Sequence, residues 1–462
     1  MTDPYQESLD YLYGRLNYER LGMPRSSGEL RLGRMRRLLR ALGDPQDDLR
    51  IVHVAGTKGK GSTAAMLAAA LSASGVRTGL FCSPHLHRLE ERFNVDSRAA
   101  TRAEIVALTE LVRPVVSAFE AGAIAADRRG PTFFEVTTAM GLLHFARKRA
   151  GAIVLEVGLG GRLDSTNAIR PAVSVITNIS FDHTRQLGST LASIAREKAG
   201  ILKHGRPAVS GEQGDEARAV IRAVARQRRG RLREIETDFT YDYLPPEPPV
   251  RRPTPGDVVV HTWAGDRGPF RLPLLGRHQA HNAAVALATL DALGEQGLTV
   301  GDEAVRRGFA SLSWPARVEV LGEAPWLVVD GAHNVASAEA LAETLRTSFP
   351  PCARTLVFGT TRDKDLRGQL RALLPGTDRV IATRYVENPR SVPPAEVAGA
   401  VLELSGQTAW VTANPAEALE LAHRETPRNG LICITGSLFL AAETRALILG
   451  GPPAPTPGRV MT

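Results

Sequence analysis

Residues 51–63 read IVHVAGTKGKGST. The apolar run IVHVAG (51–56) has the length and composition of a buried strand. Glycine-rich residues follow, then Lys60, and Ser62-Thr63 open the helical stretch AAMLAAAL (64–71). A strand that turns through glycines into a helix lets backbone N–H groups converge on phosphate oxygens. Thr57, Lys58, Gly59, Lys60, Gly61, Ser62 and Thr63 are the candidate phosphate-holding residues. Lys60 supplies charge to the outer phosphates, and a hydroxyl such as that of Ser62 can bind Mg²⁺. The strict pattern G-x-x-x-x-G-K-[ST] is not met: Val54 stands at its first glycine and Gly61 after its lysine.

Working outward, short apolar runs alternate with helical intervals. Strands are expected at RTGLFC (77–82), AIVLEVG (152–158), VSVITNI (173–179) and PAVSG (207–211), and helices near 133–149, 190–200 and 279–293. This is the pattern of βαβ units and a parallel sheet. Residues 1–50 read as polar, arginine-rich helices with a loop at Gly22–Gly28. Residues 229–276 hold a proline cluster and period-two segments such as DVVVHTW, which suggests an antiparallel appendage. A second α/β series follows, with strands WLVVDG (326–331), TLVFGT (355–360), RVIATRY (379–385) and LICITGS (431–437), and helices near 336–348, 393–404 and 415–424. The expected division is a phosphate-loop unit over 1–313, a smaller unit over 314–449, and a disordered Pro/Gly-rich tail over 450–462.

The 462 residues suffice for two or three domains. With 43% hydrophobic and 23% charged residues, the chain is neither a disordered polymer nor a disulfide scaffold. Three cysteines point to a reducing cytoplasm. No signal peptide and no membrane span is expected, because no apolar run approaches ~18 residues. The net charge of +8 fits a solvated basic surface, a nucleic-acid partner or an anionic substrate. Its basic residues are unevenly divided, six lysines against 51 arginines. A lysine that persists in such a chain marks a place where a guanidinium would not serve.

Five further segments carry chemistry. Glu156, Arg162 and Asp164 lie in EVGLGGRLDSTN (156–167), where a carboxylate at a strand end beside a phosphate loop suits Mg²⁺. His183 follows the strand end in ITNISFDHTRQLG (176–188), and Lys198 lies in AREKAGI (195–201). Arg317, Asp330 and His333 lie in WPARVEV (314–320) and DGAHN (330–334), a set that a nucleotide or amino-acid site between two α/β units can use.

Together these segments, with SPHL (83–86), EERF (90–93), PTFFEVTT (131–138), GRHQAHNAAVAL (276–287), DKD (363–365) and TGSLF (435–439), resemble the folylpolyglutamate synthase/dihydrofolate synthase family of Mur-type ATP-dependent ligases, from about Tyr11 to Ala446. That family's loop reads G-T-x-G-K-G-[ST], which Gly56–Ser62 match, with Lys58 at the variable place. Its glycine after EERF is absent here, where Asn94-Val95-Asp96 stand. The resemblance implies an α/β fold: a phosphate-loop large domain with a parallel sheet, then a smaller Rossmann-like domain. It implies ATP held by Lys60 and the loop amides, with Asn282, Arg317 and Asp330 as further ATP positions. Ser83, Glu156 and His183, with Ser62, fall at metal positions for two Mg²⁺ ions. Lys198 falls at a lysine that the family N-carboxylates. Thr132, Phe133, Phe134, Glu135, Leu163, Asp164 and Ser165 fall where a pterin lies, and His333 and Ser437 where the incoming glutamate lies. Lys60, Lys198 and His333 are the implied catalytic residues.

The implied reaction joins L-glutamate to a folate or dihydropteroate carboxylate through an acyl phosphate, in a cytoplasmic monomer with small-molecule substrates and neither a nucleic-acid nor a membrane partner. Two alternatives remain at this stage. One is a Mur-type ligase for a peptidoglycan precursor. The other is a phosphate-loop protein with a nucleic-acid partner, for which the arginine-rich RLGRMRRLLR (31–40) and RQRRGRLR (226–233) speak.

Overall fold

The computed structural model describes residues 3–21, 32–122, 130–248 and 250–450. The expected loop at Gly22–Gly28 and all but the first residue of the expected tail lie outside them.

The first sheet has eight strands: β1 (Ile51–Ala55), β2 (Thr78–Phe81), β3 (Phe93–Val95), β4 (Arg98–Ala99), β5 (Ala152–Glu156), β6 (Val173–Ile176), β7 (Ala208–Ser210) and β8 (Leu232–Glu234). Their order is β4-β3-β2-β5-β1-β6-β7-β8. Neighbours from β2 through β8 run parallel, and β3 and β4 turn back antiparallel. Side chains alternate between faces, and both faces are covered. Val52 and Val54 face one core; Ile51, Ile153 and Leu155 face another.

On the first face pack the helices Lys60–Ala73, Arg277–Gly294 and Asp302–Ser311. The first two are buried nearly all round, and alanines (Ala64, Ala65, Ala70 against Ala280, Ala283, Ala284) let them approach closely. Helices Pro4–Tyr13, Leu32–Ala41, Arg102–Glu120 and Phe133–Arg147 cover the opposite face.

The appendage expected over 229–276 is partly corrected. Leu232–Glu234 pairs parallel with β7 and belongs to the main sheet. Only β9 (Thr240–Leu244), β10 (Asp257–Thr262) and β11 (Gly265–Arg271) form the antiparallel sheet. A three-residue strand carries too few alternations to reveal its partner. Where the family glycine is absent, Asp96 and Ser97 adopt left-handed φ of 51° and 61°. The Asp96 Oδ1 accepts from Thr78 N at 2.9 Å and Ser72 Oγ at 2.8 Å, bonds that hold this turn without a glycine.

The second sheet comprises β12 (Glu319–Glu323), β13 (Trp326–Val329), β14 (Arg354–Phe358), β15 (Arg379–Ala382), β16 (Trp410–Val411) and β17 (Leu431–Thr435). The order is β12-β13-β17-β14-β15-β16, parallel except for β12. Residues 314–318 connect the two sheets, with Ala316 and Val318 at positive φ of 55° and 47°. Asp330 and Glu319 hold this connection through the N–H groups of Val318 and Ala316 at 2.8 and 2.9 Å. Among the described residues no helix is long and apolar enough to cross a membrane.

Candidate active site between the two sheets

In a parallel sheet the loops after the carboxyl ends of adjacent strands share one edge. Four neighbours in the first sheet, β2, β5, β1 and β6, deliver Ser83, Glu156, the phosphate loop and the Asp182-His183 turn to one edge. In the second sheet β13, β17, β14 and β15 deliver His333, Ser437, Lys364 and Arg390. Ser83, His183, His333, Lys364, Arg390 and Ser437 line a single cavity of about 580 Å³.

The phosphate loop is held from both sides. Thr57 N and Lys58 N donate to Asn178 O and Oδ1 at 2.8 and 2.9 Å. The Thr177 hydroxyl donates to Lys58 O at 2.5 Å. Gly59 has φ +75°, and a Cβ there would lie 2.1 Å from Asn282 Oδ1. Asn282 is thus packed on the loop, its amide donating to Gln279 Oε1 at 2.9 Å. Ser62 and Thr63 are buried in the first turn of the helix Lys60–Ala73.

Glu156 is buried beside that turn: a Cβ on Gly61 would lie 3.6 Å from its Oε2. Its Oε2 accepts a long hydrogen bond from Ser83 N at 3.4 Å. Burial raises its pKa, against the lowering fields of Lys60 and Arg317. The Ser83 hydroxyl is buried without a partner. A buried, under-satisfied carboxylate and an orphaned hydroxyl next to a phosphate loop are hard oxygen donors of the kind Mg²⁺ takes. Among the described residues no three His, Cys, Asp or Glu side chains gather as a metal cage. An ion here would therefore complete its shell with hydroxyl, phosphate and water oxygens.

His183 caps the short helix Thr184–Leu187 with φ 49°. Burial and the nearby Lys364, Lys60 and Lys198 bring its pKa to about 4 against the opposing field of Asp182, leaving a neutral imidazole at neutral pH. Lys198 is 4% exposed, and its ammonium donates to Gly56 O at 2.8 Å. Burial first, and Lys60 next, press its pKa well below the ordinary lysine value.

The expected pterin segments divide. Phe134, Glu135, Thr132, Leu163, Asp164 and Ser165 line the cavity. Phe133 does not: it is fully buried, stacked on Tyr13 at 5.3 Å, with the Arg92 guanidinium 5.1 Å from its ring centroid. Several of these residues also build the wall. Thr132 and Glu135 form a capping box, and Glu135 pairs with Arg34 at 2.8 Å. Asp164 caps the turn Ser165–Ala168, with burial raising its pKa. Arg317 lies close to Gly331; burial raises the pKa values of Glu156 and Asp330, and the field of Arg317 opposes that rise at both. Both Asp330 oxygens accept backbone N–H groups, from Val318 and Ala332.

Asp182, Lys364 and Arg34 were not singled out from the sequence. Lys364 had a usable signal in the scarcity of lysines. In the arginine-rich stretches Arg34, Arg231 and Arg233 are ion-paired in the fold. Arg34 holds Glu135, while Arg233 pairs with Glu295 and Asp238 and lies over Trp263 at 4.2 Å.

A phosphate-loop α/β unit facing a second α/β unit across a substrate-sized cavity defines the class of Mur-type ligases. Residues 54–290 match the Mur ligase middle domain and residues 316–438 the Mur ligase glutamate ligase domain. The chain is 32% identical over 452 residues to the dihydrofolate synthase/folylpolyglutamate synthase of Bacillus subtilis, covering 96% of this chain and 99% of that protein. It is 38% identical over 412 residues to a probable bifunctional folylpolyglutamate synthase/dihydropteroate synthase of Halobacterium salinarum; that match covers 88% of this chain but 48% of the longer protein. A solved structure of the Mycobacterium tuberculosis folylpolyglutamate synthase complexed with ADP superposes with a TM-score of 0.86 at 31% identity, over 97% of this chain and 99% of that one. Within the Mur-type class, the chain belongs to the folylpolyglutamate synthase/dihydrofolate synthase family.

Proposed function

We propose that this chain uses ATP to join L-glutamate to the carboxylate of a folate or of dihydropteroate. The observation that supports it most is the single cavity into which both sheets direct their carboxyl ends, with Ser83, Asp164 and His183 of the first sheet's loops at one wall and His333, Lys364 and Ser437 at the other. We read the chain as two units, 1–313 and 314–449, with the reaction between them. A site built from one chain needs no second copy, which fits a monomer acting on small molecules. A cytoplasmic setting fits substrates of this kind.

A carboxylate is a poor electrophile, and transfer of the γ-phosphoryl group to it creates a leaving group. The Lys60 ammonium and the loop N–H groups hold the phosphates and stabilise charge that develops during transfer. Asn282, Arg317 and Asp330 are the proposed contacts to the rest of the nucleotide. The glutamate amine then attacks the acyl phosphate, and amide and phosphate leave. His333 and Ser437 receive the glutamate, and the wall formed by Phe134, Leu163, Asp164 and Ser165 receives the pterin. Enclosure between the units keeps water from the acyl phosphate.

Ser62, Ser83, Glu156 and His183 are the residues proposed to hold Mg²⁺, and His183 and an N-carboxylated Lys198 would serve a second ion. Such ions, when bound, supply Lewis-acid stabilisation of the transferring group. One assay tests the reading. ADP release should require both glutamate and a pteroate-type acceptor, and Glu156→Ala should need more Mg²⁺ for its half-maximal rate. ADP release indifferent to the acceptor and to glutamate would defeat it.

A further inference from the structure

Asp182 sits where three parts of the molecule meet, and none of the steps above uses it. Its Oδ1 lies 2.7 Å from Lys364 Nζ, and its Oδ2 lies 3.2 Å from Lys58 Nζ. Asn334 Nδ2 donates to the same Oδ2 at 3.0 Å, and His333 Nε2 lies 3.9 Å away. Lys58 belongs to the phosphate loop, Asp182 to the turn after β6, and Lys364, His333 and Asn334 to the loops after β14 and β13 of the second sheet. The Asp182 side chain is 9% exposed and those of Lys58 and Lys364 18% and 11%, so this is an enclosed contact between units.

One carboxylate carrying two ammonium groups leaves a positive excess beside the cavity. Lys364 and His333 line that cavity, and Asp182 stands behind them. Anything Asp182 does to the substrate therefore passes through these two side chains or through the adjacent His183, which also lines the cavity with its Nε2 3.8 Å from Asp182 Oδ1. Without the carboxylate, two enclosed ammonium groups would face each other across the junction and separate, because an unpaired buried charge is strongly disfavoured.

We infer that Asp182 is a positioning residue for glutamate: it fixes Lys364 and His333 of the second unit at a set distance from the phosphate loop, through Lys58. The carboxylates of the incoming glutamate are thereby met by a lysine whose place is defined relative to the acyl phosphate, and the amine arrives in reach of it. This rests on the ligase reading above. It adds that the glutamate subsite is assembled by a residue of the ATP-binding unit.

The test uses the full chain and initial rates with glutamate and ATP varied in turn. Asp182→Asn should raise the KM for glutamate on the order of 30-fold, as truncating a hydrogen-bonded charge pair does, and raise the KM for ATP much less. Lys364→Met should show the same glutamate-selective signature. If Asp182 acts through Lys364, the double variant should be little worse than either single one, because the two changes remove one interaction. Multiplying effects, or equal shifts in both KM values, would overturn the inference. Should Asp182→Asn lose its thermal unfolding transition, Lys364→Met alone decides, and an unchanged KM for glutamate then overturns it. Failure of the wild-type chain to ligate glutamate would instead overturn the ligase reading, so the two failures are distinguishable.

Discussion

Four of the six lysines, Lys58, Lys60, Lys198 and Lys364, gather around Asp182 and His183 in a chain that otherwise spends arginine. A compact ammonium can be desolvated and lose its proton where a guanidinium cannot. Lys198 shows the consequence: its amine is pressed toward the neutral form, and only a neutral amine takes up carbon dioxide. Native mass measurement at high bicarbonate should show one added carbon dioxide, absent in Lys198→Ala. That variant should lose activity and regain part of it with a short carboxylic acid in the vacated space. A mass without the adduct, with full activity, would contradict this. At this scale the sequence showed residues with a local signature, such as Lys60 in its glycine loop or Glu156 at a strand end. It hid Asp182, whose partner Lys364 lies 182 positions away and whose role exists only once two sheets face each other. It also could not show that Phe133 faces the core and Phe134 the cavity, because adjacent helical residues differ only in which neighbour the fold supplies.

At the scale of the element, the phosphate loop works because its glycines admit neighbours that a Cβ would displace. Gly59 combines a left-handed φ with contact to Asn282, a residue 223 positions on. Gly59→Ala should weaken ATP binding by about tenfold or more, the strain of a left-handed alanine being roughly 1–2 kcal/mol before any displacement of Asn282. Equilibrium binding of a nucleotide analogue checks it, and unchanged affinity would show that the loop tolerates the shift. Elements were legible where an apolar run met a glycine, as in IVHVAG, AIVLEVG and LICITGS. Leu232–Glu234 was not, because two of its three residues are charged and its strand identity comes from β7.

The molecule as a whole carries a buried titratable group at its centre. His53 lies in the middle of β1, fully buried, with Nε2 2.9 Å from Thr166 Oγ1 and Nδ1 without a partner. Burial, with a smaller push from Lys203, draws its pKa from 6.5 down to about 3. The unfolded chain therefore binds a proton below about 6.5 that the folded chain refuses until about 3. Stability from this residue is present above 6.5 and falls with pH through that window, by about 2 kcal/mol at pH 5 relative to neutrality. Urea midpoints at pH 5 and 7 should differ less in His53→Gln than in the wild type. An equal difference would assign the acid sensitivity elsewhere.

Two sheets that aim their strand ends at one cavity account for a ligase only if a new amide forms there. The direct measurement is product mass after incubation with ATP, Mg²⁺ and glutamate, with dihydropteroate and tetrahydrofolate supplied in separate reactions. The account predicts, for at least one acceptor, a product heavier by one glutamyl residue or more, formed with one ADP per residue added. ADP released while both acceptors keep their original masses would contradict it.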